Sequence, residues 1–385
     1  MAADYLHGVE QFYIDNAGRP IEVLAASTIG LIATGTDADA TVFPLNVPVL
    51  CNSEKLIAKA GTSGTLRLAL EDIYRQIGAV VVVVRVAEAV DLDPVEQEKK
   101  QIANVIGRQD NESGEYTGLK ALLAAESLVG VRPRLIIAPE FSHLTGVGAE
   151  MEVIGKKLSA IPIIDGSESG FSEVLDECEL YDEVLFVNCG IKVLDENGDV
   201  VTRKASATVA GHIVRVDNEE GYWHSPSSRK IYGILGTSEL IDHAIGSTTS
   251  KANLYNGSNI TVIVQQQGGF YLYGNRLANG VMLPHQRIRY IVGDSILYAH
   301  QELVDRNITK GYVDGVKNRV NKLLRRLLTR EVIAGGECWV DKELNVEAIG
   351  TAQVYWDYDL GFFDIAERMT FRQHVTDRYN EAVFE

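Results

Sequence analysis

The chain offers one place where a nucleophile and a base lie close together in sequence. His224 is followed by Ser225 and Ser227, and serine hydrolases use these residue types to transfer an acyl group, with the histidine taking the hydroxyl proton. Side chains this close along a chain rarely aim at a common atom, and no G-x-S-x-G turn frames the serines. The segment therefore does not predict a catalytic pair.

Two glycine-containing loops could instead hold an ion. Gly61-Thr-Ser-Gly64 stands before a predicted helix, as phosphate-binding loops do, but it has neither the Lys-Ser/Thr of a P-loop nor the spacing G-x-G-x-x-G. Asp165-Gly-Ser-Glu-Ser-Gly170 carries the carboxylates of a weak cation site within a run of turn residues. An ordinary helix start and a solvated loop are the favoured interpretations of these two segments.

The residue types that most often bind metals are scattered. The four cysteines form no C-x-x-C pair, and the eight histidines form no H-E-x-x-H or H-x-x-x-H pair. We therefore expect no metal site, no cofactor and no catalytic residue. The absence of paired cysteines also fits synthesis in a reducing cytoplasm.

Composition narrows the class of protein. A length of 385 residues predicts two or three domains, and 46 % hydrophobic with 23 % charged residues is typical of a folded globular chain. A formal net charge of −17 argues against nucleic-acid binding, which requires clustered Lys and Arg. We expect no signal peptide, because no basic stretch precedes an apolar run near the start, and no membrane insertion, because the longest apolar run, 79–84, is too short.

The elements that would position any site alternate between strands and helices as far as Cys189. Strands are predicted at 27–33, 79–86, 134–138, 161–164 and 184–187, and helices at 65–77, 96–106, 117–128, 148–158 and 172–180. Continuous β-branched runs suit strands buried on both faces, so we predict an α/β domain with a mainly parallel, doubly wound sheet. Such sheets bind ligands at the carboxyl ends of their strands, and a hydrolase-like α/β enzyme with a site there is an alternative function.

The last third predicts two long helices, at 284–308 and 313–330. On the second helix one face is apolar, and the opposite face carries a basic stripe formed by Arg319, Lys322, Arg325 and Arg326. A solvated face, a nucleic acid, an anionic membrane surface or an acidic protein could each explain the stripe. The nucleic-acid and membrane interpretations are weakened, because no aromatic residue interleaves with the basic ones and the apolar face is needed for packing.

Strand-like segments also occur near both ends of the chain. Val354, Trp356 and Tyr358 alternate with polar residues and predict a half-buried strand over 353–360. Residues 369–376 alternate in the same way, and residues 9–14 are a further strand candidate. These segments either complete the chain's own sheet or pair with other chains, since unpaired N–H and C=O groups recruit partners.

Several segments taken together resemble contractile tail sheath proteins. In chain order they are His7-Gly8-Val9, 223–233, 252–260, Gly274-Asn-Arg276, Asp305-Arg-Asn-Ile-Thr309 and 371–377. The resemblance covers nearly the whole length, and its specificity lies in the order and spacing of segments that are weak singly. A chain of this size is similar to the minimal sheath type, which lacks the additional outer domains of larger phage sheaths.

The resemblance implies four parts: an N-terminal arm (1–20), an outer α/β domain (21–275), a smaller α+β inner C-terminal domain facing a tube (276–365) and a C-terminal arm (366–385). It further implies stacked hexameric rings around a rigid tail tube, which contract to drive the tube through a target cell envelope. Arm strands would add to the inner-domain sheet of a neighbouring subunit. The arm residues are Val9, Phe12, Ile14, Phe371 and Val375, and the acceptor residues are Val354, Trp356 and Tyr358.

The implied partners are further copies of the chain, the tail tube protein, and the baseplate and tail terminator proteins. The chain would be made in a bacterial host cytoplasm and assembled into a virion tail or contractile particle. The basic stripe (Arg319, Lys322, Arg325, Arg326) is predicted to contact acidic groups of the tube. A monomeric module that holds an acidic protein through this stripe is a further alternative.

Overall fold

The structure is a computed structural model that describes residues 21–112 and 114–377. The predicted arm residues Val9, Phe12 and Ile14 lie outside this range. Among the described residues, no helix has the length and apolar character needed to cross a membrane.

Strands and helices alternate through the first half of the chain. The strands are β1 (Thr28–Thr34), β2 (Val49–Cys51), β3 (Val80–Val86), β4 (Leu135–Ile137), β5 (Ile161–Asp165), β6 (Leu185–Val187), β7 (Gly190–Leu194), β8 (Val200–Lys204), β9 (Lys230–Ile231), β10 (Gly236–Thr237), β11 (Val262–Gln266), β12 (Gly269–Tyr273), β13 (Cys338–Trp339) and β14 (Asp357–Tyr358). The α-helices are α1 (Glu54–Ile57), α2 (Leu66–Tyr74), α3 (Pro94–Ile106), α4 (Ala125–Val129), α5 (Thr145–Leu158), α6 (Phe171–Cys178), α7 (Ser206–Glu219), α8 (Lys251–Gly257), α9 (Leu283–His300), α10 (Lys310–Thr329) and α11 (Lys342–Glu347). Short 3₁₀ helices cover Gly118–Ala124 and Gln301–Leu303.

A six-stranded sheet with the order β2-β3-β1-β4-β5-β6 forms the first core. All neighbouring pairs are parallel except β2 with β3, so the five parallel strands follow the doubly wound order 2-1-3-4-5. Helices α2 and α7 pack together on one face, while α3 and α5 pack with the 3₁₀ segment on the other. Because both faces are covered, Val81–Val84 of β3 are fully buried. The prediction of an α/β fold with a mainly parallel sheet is confirmed.

The helix predicted at 117–128 is wrong in type over its first half. Residues Gly118–Ala124 form a 3₁₀ helix, and only Ala125–Val129 are α-helical. Leu119 and Leu122 are both fully buried, and the three-residue repeat of a 3₁₀ helix places residues i and i+3 on one side. Leu119 and Leu122 therefore face the core from one side of the 3₁₀ helix.

The strand predicted at 353–360 is also wrong in extent. Only Asp357–Tyr358 pair as a strand, with Cys338–Trp339, and a bridge joins Gly335 to Gly361. Trp356 turns toward α10 instead, since its indole N–H donates to the Val313 carbonyl at 3.3 Å. The alternation of apolar residues here reflects packing on a helix, not a ladder of strands. Phe371 and Val375 lie in no strand and are 90 % and 93 % exposed.

A second core lies between α9 and α10. Its buried members are Ile288, Ile291, Val292, Val320, Leu323, Leu324, Leu327, Val332, Ile333 and Cys338, together with Ile21, Ala26 and Tyr222. Helix α9 ends at His300, earlier than the predicted 308, and α10 covers Lys310–Thr329. The division of the chain at 275/276 stays a prediction, and residues from its N-terminal side help to build this C-terminal core.

Candidate functional site

The loop Gly61-Thr-Ser-Gly64, which could have held a phosphate, instead binds a carboxylate of the chain itself. The amides of Thr62 and Ser63 donate to the Asp37 carboxylate at 2.8 and 2.9 Å, and both hydroxyl groups donate to it as well. These hydrogen bonds hold the pKa of Asp37 well below its usual range. Gly64, at φ +79°, is tight against Thr34, where a Cβ would stand 2.5 Å from the carbonyl oxygen. Asp37 thus takes the position that an anion would need.

The second candidate loop begins with a carboxylate that has a structural partner. Asp165, at the end of β5, accepts from the Ser142 hydroxyl at 2.9 Å, the Ser206 amide at 2.8 Å and the Ser206 hydroxyl. Burial raises the pKa of Asp165 to about 6. Ser206 opens α7, so the carboxylate fixes the start of that helix on the sheet. No metal-binding group of three or more His, Cys, Asp or Glu residues occurs within 21–112 and 114–377.

The segment around His224 serves to join loops. The Ser225 hydroxyl accepts from the Ser227 amide at 3.2 Å, and the Ser227 hydroxyl accepts from the Gly274 amide at 3.1 Å. Both serines therefore hold backbone groups. Their contacts bring two of the segments quoted above, 223–233 and Gly274-Asn-Arg276, side by side.

The same segment is fastened to α7 by a buried histidine and arginine. His212 contacts the Pro226 carbonyl through Nε2 at 2.9 Å and receives a hydrogen bond from Arg215 at Nδ1, also at 2.9 Å. Because a carbonyl only accepts and a guanidinium only donates, the ring is neutral with its proton on Nε2. Arg215 also bonds the Lys230 carbonyl and lies 4.3 Å above the Tyr232 ring. His212 and Arg215 thus fix the loop 221–233 on α7.

Lowering the pH from 7 to 4 is expected to remove a stabilising contribution of His212. Burial lowers the pKa of His212 from 6.5 to about 4, so between these values the native chain binds fewer protons than the unfolded chain. The contribution is present above about pH 6.5 and is lost as the pH falls through the folded pKa. The loss is about 3 kcal/mol, and urea unfolding of the native sequence and of His212→Gln at both pH values measures it.

The variant is needed for comparison because the contribution of Asp165 to the free energy of unfolding changes with pH in the opposite direction to that of His212. Its raised pKa means that its contribution is lost as the pH rises toward about 6, and regained on acidification. His212→Gln removes only the histidine contribution. The gap in unfolding free energy between the two proteins should therefore narrow at pH 4, and an unchanged gap would show that the histidine is not held neutral.

Helix α9 connects the two cores through buried ion pairs. Arg287 forms a bidentate pair with Asp217 of α7, and each side chain is 3 % exposed. The same guanidinium donates to the Ala26 carbonyl at 3.0 Å. Two turns further along the same face, Asp294 pairs with the buried Arg134, which immediately precedes β4, and accepts from the Ser159 hydroxyl at 3.1 Å. The helix is therefore fixed at two points, to α7 through Arg287 and to the residue before β4 through Asp294.

The structure divides the predicted tube-binding residues into two pairs. Lys322 and Arg325 are exposed and form no ion pair with the described part of the chain. Arg319 is mostly buried and bonds Glu302 at 3.0 Å. Arg326 is half-buried and bonds the Ile21 carbonyl. Only the first pair is therefore available to a partner without breaking a contact.

The chain beyond β14 crosses a groove between the two cores as a strap, residues 362–367. Arg276 holds Glu367 in a bidentate ion pair at 2.7 and 3.0 Å, and His285 donates to the Phe363 carbonyl at 3.0 Å while its ring stacks on Phe362. The groove under the strap measures about 1020 Å³ and is lined by the loops around Trp223 and Asn275 and by Asn256 of α8. The strap fixes the point from which residues 369–377 leave the molecule.

The sequence matches known families at both cores. Residues 26–86 match the tail sheath protein Gp18 domain III N-terminal region, and residues 286–376 match the phage tail sheath C-terminal domain. A prophage major tail sheath protein of Pseudomonas aeruginosa is 34 % identical over 393 residues, covering 99 % of each chain. The chain belongs to the contractile tail sheath family. The tail sheath protein of Escherichia phage P2 is 31 % identical and covers 98 % of this sheath protein and 97 % of its own length.

Solved sheath structures share the fold of this sheath protein. The helical sheath of the anti-feeding prophage in its contracted state has a TM-score of 0.71 at 15 % identity, covering 97 % of this chain and 99 % of that one. The sheath of an extracellular contractile injection system in its contracted state has a TM-score of 0.70, also at 15 % identity, with 99 % and 100 % coverage. The sheath family predicted from the sequence is confirmed, and the proteins it matches are structural parts of tails and injection systems.

Sequence reasoning missed the ion pairs of this sheath protein between its two cores. A signal was present, because Arg287, Ile291 and Asp294 fall at i, i+4 and i+7 on one helical face. Charged residues on the apolar face of a helix indicate buried partners elsewhere in the chain.

Proposed function

We propose that this sheath protein polymerises as stacked hexameric rings around a rigid tail tube and contracts to drive the tube through a target cell envelope. The observation that supports polymerisation most directly is the C-terminal segment. Met369, Phe371 and Val375 are 75 %, 90 % and 93 % exposed, and they alternate along an extended stretch that lies in no strand of the described chain. An alternating apolar segment of this kind is suited to pairing with a second chain.

The acceptor for this segment is the ribbon formed by β13 and β14. The ribbon has two strands, and a two-stranded ribbon is marginally stable by itself and gains from added strands. Next to it in sequence Val354 and Trp356 are half-buried, and within it Tyr358 is 39 % exposed. We propose that the C-terminal arm of one neighbour and the N-terminal arm of another, with Val9, Phe12 and Ile14, extend this ribbon.

The tube contact is proposed for the exposed part of α10. Lys322 and Arg325 lie three residues apart and therefore project from one side of the helix. They are free to meet acidic groups on the tube, whereas Arg319 and Arg326 already bind within their own chain. Baseplate and terminator proteins would cap the two ends of the polymer. Assembly with and without purified tube, compared by negative-stain electron microscopy, tests the tube contact.

Contraction is proposed as a rearrangement of nearly rigid subunits between two packings, in which the contracted packing buries more surface. The ion pairs of α9 with Asp217 and Arg134 support rigidity, since they fix the two cores to each other. Synthesis in a bacterial host cytoplasm and assembly into a virion tail or contractile particle follow from this function. A measured rotation between the two cores, in maps of extended and contracted polymers, would contradict the rigid-subunit proposal.

Shortening either arm is expected to abolish polymerisation without unfolding the cores. The purified chain alone should form long hollow cylinders with helical striations in negative stain. A chain lacking residues 1–18, and one ending at residue 368 that keeps Glu367 on Arg276, should instead give small uniform particles. Unchanged thermal unfolding serves as the folding control. If either shortened chain still forms cylinders, that arm does not join the subunits.

A further inference from the structure

The chain between the N-terminal arm and β1 packs on the second core. Ile21 is 2 % exposed and Ala26 is 8 % exposed within the α9–α10 cluster. The Leu24 amide donates to the Ser295 hydroxyl of α9 at 3.3 Å, and the Ala26 carbonyl accepts from Arg287 at 3.0 Å. Residues 21–26, here named the arm base, are therefore held at Ile21, Leu24 and Ala26 by contacts with the second core.

The outermost of these contacts comes from the basic stripe. Arg326 of α10 donates to the Ile21 carbonyl, the most N-terminal backbone group that the structure describes in such a bond. Its Nε is buried, and within the described residues it has no hydrogen-bond partner. The side chain is thus drawn inward at the cost of one unpaired donor, whereas Arg325, its neighbour in sequence, is exposed. The two arginines are adjacent in sequence, but Arg325 faces solvent and Arg326 binds within the chain.

We propose that Arg326 is a positioning residue for the N-terminal arm, which it ties to the helix that faces the tube. The consequence of this inference rests on the proposed function. If α10 binds the tube through Lys322 and Arg325, the same helix also anchors the arm through Arg326. A shift of α10 on the tube moves the point from which the arm leaves the subunit. Tube binding and subunit linkage are coupled through this side chain.

Methionine substitutions at the two adjacent arginines separate the roles. Arg326→Met and Arg325→Met each remove one positive charge from the same helix, so any effect of net charge is matched. The first readout is hydrogen exchange of the full-length soluble chain over residues 21–27. Arg326→Met should speed exchange there about tenfold, the scale of one lost hydrogen bond to a charged group, with β1 and α5 unchanged. Arg325→Met should leave exchange over 21–27 unchanged.

The second readout is assembly. Arg326→Met should reduce cylinder formation equally with and without tube, because the arm base is misplaced in both cases. Arg325→Met should reduce assembly on the tube only. Equal exchange over 21–27 in the two variants overturns the proposal, and so does normal assembly of Arg326→Met despite faster exchange. Exchange needs neither tube nor polymer, so it decides the role of Arg326 even if the native chain forms no cylinders.

A second variant covers the case in which Arg326→Met fails to fold. Ile21→Ala removes the buried side chain that packs the arm base on the second core, while it leaves the Ile21 carbonyl and all basic residues of α10 in place. It should speed exchange over 21–27 and reduce assembly with and without tube in the same way. Normal exchange and normal assembly of Ile21→Ala would overturn the proposal.

Discussion

Replacing Asp217 with alanine is expected to lower the free energy of unfolding by about 3–5 kcal/mol, the usual effect of removing one partner of a buried ion pair. Arg287 would remain 3 % exposed in side chain, with a charge and no carboxylate to neutralise it. The Ser27 hydroxyl, which donates to Asp217 at 2.8 Å, would lose its partner too. Urea unfolding at pH 7, followed by circular dichroism, measures the change.

Two further variants identify the cause of this loss. Glu219 belongs to the same helix as Asp217, and its side chain is 56 % exposed. Glu219→Ala removes this carboxylate and should change the free energy of unfolding by about 1 kcal/mol or less. The double variant Asp217→Ala with Arg287→Met should recover much of the loss, because an apolar side chain then fills the site without an unpaired charge. A double variant as unstable as Asp217→Ala alone would show that the packing of these side chains, not their charge, dominates.

Reversing the two exposed charges of α10, Lys322→Glu with Arg325→Glu, is expected to abolish assembly of extended sheath on the tube. Each exposed contact contributes about 1 kcal/mol or less, but every subunit along the tube repeats it, so the total effect on the polymer is large. Assembly without tube should proceed normally, because the arms and the ribbon are untouched. Negative-stain images of both reactions, at low and high salt, give the result, since salt screens such contacts.

The matched control for this reversal lies on the α/β half of the chain. Lys55→Glu with Arg108→Glu changes the net charge by the same amount at exposed positions and should leave assembly on the tube unchanged. If the α10 reversal gives normal extended sheaths, the tube does not bind this face. If both double variants fail equally, net charge rather than position controls assembly.

The sheet could be predicted because each strand carries its own signal. Runs such as 80–84 are apolar and β-branched at every position, and burial on both faces requires this. The alternation at 353–360 led to a strand prediction that is wrong in extent. A two-residue period of apolar side chains also arises when one side of an extended segment faces a helix. Trp356 contacts α10 through Val313, some 43 residues away, and no local pattern contains that information.

Periodicity predicts that the four residues of the basic stripe share one face of α10, but it does not predict which of them bind within the chain. A helical wheel places Arg319 and Arg326 beside Lys322 and Arg325, yet it contains no information on residues distant in sequence. Glu302 and the Ile21 carbonyl, which lie 17 and 305 residues away, remove two of the four charges from the surface. Periodicity thus predicts the shared face and tertiary contacts decide which side chains remain free, while tube binding by this face stays a prediction.

The distance in sequence between the parts of the second core determines when during synthesis that core can form. The six-stranded sheet ends at Val187, so a nascent chain contains all of its strands before α9 and α10 have been synthesised. The arm base binds Ser295 and Arg326, at separations of 271 and 305 residues, and finds both partners only after α10 has been synthesised. A nascent chain that ends before α9 therefore carries every strand of the sheet but lacks the side chains that hold residues 21–26.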